Sequence, residues 1–399
     1  MGHSHHGHRH DGGDKPGLVQ LHDELTDART ERTLWIVAIM VAVVTIVGLI
    51  LLWPRGDVKT GVEAASLFGD RVEALVTDTR VEPCTYDPVA GCQIVSLQIT
   101  SGDQKGTNTS WETPYPNPHP LERDDEIYVY AAVAEDGTTI YSFADYQRET
   151  PLIALALIFA VAVLLLARWK GLGAIGGLVA SLLVLIVFML PSLLRGNNAI
   201  AVALIGSSVI AFIALYLAHG INIATTVALL SSFASLALIG LLSWIFVEAA
   251  DFTGFTEDSS FVLSALGVQI DARGLLLAGI VIGSLGVLDD VTVTQVSAVW
   301  ELRQLQPAAS RQEIYTSAVN IGRDHISSTV NTLFLTYAGA ALPLLLLFAV
   351  AGQSVSSVTT SEVVATEIVR SLVGSIGLVA SVPISTWMAA RVLTVRQDH

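Results

Sequence analysis

Charge is scarce in this chain. Only 14% of its 399 residues are Asp, Glu, Lys or Arg, while 52% are hydrophobic and the mean hydropathy is +0.59. A single soluble globule needs more charged surface than that, so the polytopic membrane class is indicated. The basic sign is the scarcer one, 21 residues against 36 acidic, and the basic patch of a nucleic-acid binder is absent. No stretch reads G-x-x-x-x-G-K-[ST], so energy from a phosphate loop is not expected. No nucleophile, base and orienting group stand together, so neither an enzyme nor a cofactor is expected. Cysteine is nearly missing too, with Cys84 and Cys92 the only two. They make no C-x-x-C metal pattern. Their spacing across PCTYDPVAGC suits a short disulfide loop if the segment is extracytoplasmic, and two free thiols otherwise.

What the chain has instead is long apolar runs. A first span is expected over Leu34–Trp53, preceded by Arg29 and Arg32, with residues 1–33 a polar cytoplasmic tail. The leader is long for a secretory signal and no small-residue cleavage site follows, which favours a retained anchor. Further spans are expected over Pro151–Ala167, Leu172–Leu190, Ala199–Leu217, Ile223–Phe246, Gly274–Trp300, Ser327–Val350 and Val363–Leu393. That predicts about eight transmembrane helices, the last seven forming a membrane domain over 151–396. Placing Arg29, Arg32, Arg168, Lys170, Arg303, Arg311, Arg391 and Arg396 inside puts both termini in the cytoplasm. Arg195 and Arg273 then fall outside, against the rule. The final run is long for one crossing, and Pro383 predicts a kink or break.

Residues 57–148 have a different period. Val95, Leu97 and Ile99 alternate with Ser96, Gln98 and Thr100, and IYVYAAV repeats the alternation before an Asp136-Gly137 turn. This predicts a small extracytoplasmic β-barrel or sandwich of about five or six strands. It is acidic: 16 acidic and 6 basic residues between Asp57 and Arg148 give a net charge of −10. The N-terminal tract holds His3, His5, His6, His8 and His10, which bind borderline metals when neutral and otherwise form a solvated tail.

The polar chemistry concentrates in two apolar helices. Gly279, Gly283, Gly286, Asp290, Thr294, Ser297 and Glu301 recur at helical spacing on one face, small first, then acidic and hydroxylic. The glycines suit close helix packing. The next helix offers Asn320, Arg323, Asp324, Ser327, Ser328, Asn331 and Thr332. Carboxylates at membrane depth face protein or water, and are functional more often than structural. Asp289 and Asp290, being adjacent, point about 100° apart and cannot serve one narrow site equally. The bland alternative pairs them with Arg303 or Arg323 at the cytoplasmic end. Glu367 and Arg370 stand i,i+3 as an ion pair should. Arg370 at that depth could instead face Asp290 or an anion. GAIGGLVAS (Gly173–Ser181) also echoes GSIGLVAS (Gly374–Ser381), a weak sign of a repeat.

From about residue 57 to its C-terminus, through the β-segment entering DYQRETP, the chain resembles the YibE/F-like family of bacterial integral membrane proteins. The resemblance is carried by RWKG, GSLGVLDDVTVTQVSAVWEL, NIGRDHISSTVNTLFLTYAGAALP and EIVRSLVGSIGLVASVPIS. It implies a multi-pass protein of the bacterial plasma membrane, described in that family as a permease. The expected function is thus a secondary transporter of a small ion, such as a divalent metal cation coupled to protons. Asp289, Asp290, Thr294, Asn320, Arg323, Asp324, Ser328, Asn331, Glu367 and Arg370 are its candidate site. A phosphate-like anion held by Arg323 and Arg370 reverses the charge logic. A non-transporting sensor or assembly factor is the other class. The expected partners are the lipid bilayer and the ion, with a homo-oligomer left open.

Overall fold

The computed structural model describes residues 28–56, 70–84, 91–116, 119–133, 138–255 and 271–393. The histidine tract and the Asp136-Gly137 turn lie outside them. The described residues fall into two compact units, one of residues 70–167 and one of the first helix with the chain from residue 168 onward.

The first unit is built on five antiparallel strands: β1 (Asp70–Pro83), β2 (Gly91–Ile99), β3 (Asn108–Tyr115), β4 (Glu126–Val133) and β5 (Thr139–Tyr146). Their order in the sheet is β3-β2-β1-β4-β5. The alternation read in the sequence becomes burial: Val95, Leu97 and Ile99 point inward with Ala74, Val76, Ile127 and Val129. The sheet is neither a closed barrel nor a sandwich. It curls into a half-barrel, and its edge strands β3 and β5 run parallel to each other because each lies two antiparallel steps from β1. Gln104 stitches one end of that seam, donating to Thr139 Oγ1 (3.1 Å) and accepting from the Tyr141 hydroxyl (2.9 Å). Cys84 is bonded to Cys92, closing a loop that constrains the unfolded chain by about 2.5 kcal/mol. After β5 comes α1, Glu149–Trp169, of which the part up to Ala167 belongs to this unit. At Arg168 the backbone leaves helical geometry (φ 53°, ψ −128°).

The second unit is helical. Its first helix, αN (Ala28–Leu51), begins six residues before the expected span. There follow α2 (Gly171–Leu194), α3 (Ala199–His219), α4 (Ile223–Ala249), α5 (Ala272–Leu305), α6 (Arg311–Ala340), α7 (Leu342–Val350), α8 (Val355–Thr360) and α9 (Glu362–Val392). Local sequence sets the starts. Asn198, Asn222 and Asp271 accept from backbone N–H groups in the first turns of α3, α4 and α5. Ser310 and Glu313 form a full capping box on α6. The end of αN is held by Ser192 and Asn197, which both donate to the Leu52 carbonyl.

Among the described residues, seven helices are long and apolar enough to cross a membrane. They become eight if α6 and α7, bent by 56°, count as one broken span. Of the kink or break expected at Pro383, the break does not occur: α9 continues through the proline as one helix. Proline frees a carbonyl one turn earlier, which membrane helices tolerate when neighbours and hydroxyls compensate. Ser381, Ser385 and Thr386 donate to the Leu378, Ser381 and Val382 carbonyls of the same helix, at 2.6–2.7 Å, and not to the Val379 carbonyl that Pro383 frees.

Candidate functional site

Helix α5 is the axis of the helical unit, bonded to α4 through Thr292 and packed on α6 and α9 by Val291 and Gln295. With partners on most sides, its two adjacent acids meet different surroundings. Asp290 is exposed, whereas Asp289 is partly buried and turned toward α4, where Ser232 stands beside its carboxylate. The Ser232 hydroxyl also shares a 2.8 Å hydrogen bond with Thr292. Asp289 Oδ1 is buried and has no hydrogen-bond partner. A carboxylate oxygen in that state is incomplete, because a lost partner at a buried acceptor is costly.

Both acids line a cavity of about 290 Å³. Ala174, Gly177, Leu178 and Ser181 come from α2, Ala214, Leu215, Ala218 and His219 from α3, and Asp289, Asp290, Val293 and Thr294 from α5. The walls are small because α2 and α3 pack closely: a Cβ at Gly177 would lie 3.3 Å from Ala214 Cα. The site thus combines two carboxylates, two hydroxyls and an imidazole between three helices. It could exchange a proton or a small cation. Among the described residues, however, no three His, Cys, Asp or Glu side chains are grouped so as to hold a metal ion.

The other candidates do not join this cavity. Asn320, Arg323, Asp324, Ser328 and Asn331 are exposed on α6, and Arg323 donates to Asn320 Oδ1 at 3.1 Å. Arg370 pairs with Glu367 at 2.7 Å rather than with Asp290. It lies near Gly279, ten residues before Asp289 and hence about 15 Å away along α5. Its guanidinium is 5.9 Å from the centre of the Tyr337 ring, and its Nε is buried without a partner. Nor do Arg303 and Arg323 neutralise the acids. Arg303 is buried and donates to the Pro307 and Ala309 carbonyls, closing the turn after α5.

The expected glycine packing face needs correction. Gly279 and Gly283 face the side chains of Arg370 and Tyr337, and a Cβ at Gly286 would meet nothing within 4 Å. Between α2 and α3 the close backbone approaches are at Gly173 and Gly177, inside one half of the echo noted in the sequence; in the other half Gly377 packs on Ile239. Ser181, His219 and Ser232 were missed as site residues. Nothing local marks them, since Ser181 and His219 line the cavity from α2 and α3 and Ser232 stands beside Asp289 from α4.

A sequence model of the YibE/F-like protein family matches residues 155–395. The chain belongs to this family. The matched region begins after the half-barrel and takes in every helix that lines the cavity. Family membership and the apolar helices together support a multi-pass membrane protein. No curated protein and no solved structure matches the chain.

Proposed function

We propose that this YibE/F-like protein is a permease that moves a small cation through Asp289, with protons as the coupling ion. The observation that carries the reading is the buried, unpartnered Asp289 Oδ1 beside a cavity lined by hydroxyls. A carboxylate held away from water needs a cation, a proton or donors, and alternating between the first two is what coupled exchange requires. Asp290 and Thr294 form the exposed side of the site. Arg370, already paired with Glu367, is too far along α5 to reset it. In this reading the protein resides in the bacterial plasma membrane with both termini in the cytoplasm, and it catalyses no covalent chemistry.

An anion carrier would depend on Arg370, and a sensor would transport nothing. Reconstituted protein in liposomes containing a pH-sensitive dye separates the three. Imposed gradients of sodium, potassium, magnesium, manganese and zinc are the probes. A cation gradient should drive proton movement that Asp289→Asn abolishes and Arg370→Gln spares. No proton movement with any cation would sink the transport reading, and loss only in Arg370→Gln would transfer it to an anion.

A further inference from the structure

The half-barrel has a cavity of its own, independent of the helical unit. Its seam is stitched at one end by Gln104 and opens toward the other, where β3 and β5 carry Trp111 and Phe143. The opening encloses about 240 Å³. Trp111 and Phe143 lie 6.5 Å apart between ring centres, and Phe143 meets Tyr146 edge-on at 5.4 Å. Phe143 is 40% exposed, a large aromatic left at the mouth of a small domain. Thr113, His119, Leu121, Asp145 and Arg148 complete the lining.

We propose that this seam binds an organic cation, an ammonium or guanidinium group carried on an apolar body. Three observations converge. Aromatic faces attract cations through their quadrupoles, and here three rings share one cavity. A carboxylate, Asp145, supplies the countercharge, and the segment around it carries the net charge of −10 that draws cations in. Finally, the chain places a cation of its own there. The Arg148 guanidinium lies 2.6 Å from Asp145 and 5.8 Å from the centre of the Tyr146 ring. Arg148 is more than half exposed, at 56%, so it can swing away when a ligand group takes its place. An anion would instead meet Asp145 and the negative faces of the rings. Two sources share this chemistry: a free organic amine, and a Lys or Arg side chain of a partner protein.

The test uses the full chain in lipid nanodiscs, titrated with tetramethylammonium, argininamide and a short Arg-containing peptide, with benzoate as the anionic aromatic control. Binding is read by calorimetry. Asp145→Asn and Phe143→Ala should each weaken it by about tenfold. Arg148→Gln should tighten it, because the competing internal cation is gone. A near-ultraviolet circular dichroism spectrum that keeps the wild-type aromatic signal reports that each variant is folded. Argininamide and peptide binding alike point to a free amine, and binding confined to the peptide points to a partner protein. Failure of every cation to bind at millimolar concentration would overturn the proposal. So would benzoate binding as well as the cations, or an Arg148→Gln variant that binds no tighter than the original.

Discussion

Ser232 of α4 and Thr292 of α5 share a buried 2.8 Å hydrogen bond one turn from the Asp289 carboxylate. This contact makes α4 part of the site although it does not line the cavity. Ser232 serves two neighbours at once, since it also stands beside Asp289. Hydroxyl contacts between membrane helices are worth little when considered singly, about 0.6 kcal/mol on average. Their removal matters more when it leaves a second buried acceptor incomplete.

Ser232→Ala should therefore destabilise the protein by about 1–2 kcal/mol, more than the average interhelical hydroxyl. Thr292→Ser, which keeps the hydroxyl, should cost less than Thr292→Val. Thermal unfolding in detergent would measure this order, and a Ser232→Ala midpoint equal to wild type would disprove it.

The glycines give a contrast that sequence alone assigns wrongly. A Cβ at Gly173 would run into the Leu217 carbonyl, backbone that cannot yield cheaply, so Gly173→Ala should cost about 1–3 kcal/mol. Gly286 has open space, and Gly286→Ala should be neutral or stabilising by up to about 1 kcal/mol through helix propensity. Comparing the two unfolding midpoints decides the matter. Equal effects would mean that α2 does not pack on α3 through Gly173.

Acid sensitivity is expected in the half-barrel. The hydrogen bond from Arg148 holds the Asp145 carboxyl below its usual range, helped by the backbone N–H of Tyr146 and by the Arg71 charge. A depressed carboxylate contributes stability above its unfolded pKa, and that contribution is lost as pH falls through the lower folded value. Destabilisation should thus set in below about pH 4, the ordinary Asp value. Asp145→Asn should flatten this part of the profile, as followed by near-ultraviolet circular dichroism. An unchanged acid profile in that variant would assign the sensitivity to other carboxylates.

The sequence by itself determined the elements. A bilayer core about 30 Å thick demands apolar runs of about twenty residues, and those runs became helices. A period of two became strands with Val95, Leu97 and Ile99 inside. Ser310-x-x-Glu313 started a helix where such a box should. Glu367 and Arg370, three residues apart, paired with each other.

Only the tertiary structure decided which groups share a site. Asp289 and Asp290 look equivalent in sequence, and the direction each faces depends on where α4 lies beside α5. Because α5 is packed by several helices, its burial does not follow one stripe, and the polar stripe through Asp290, Thr294 and Glu301 proved to be the exposed one. His219 and Ser181 reach the cavity from two other helices, so no spacing within one helix could reveal them. The half-barrel cavity is the same lesson in a sheet: Trp111 and Phe143 stand on strands at opposite edges, and only the curl of the sheet brings them together.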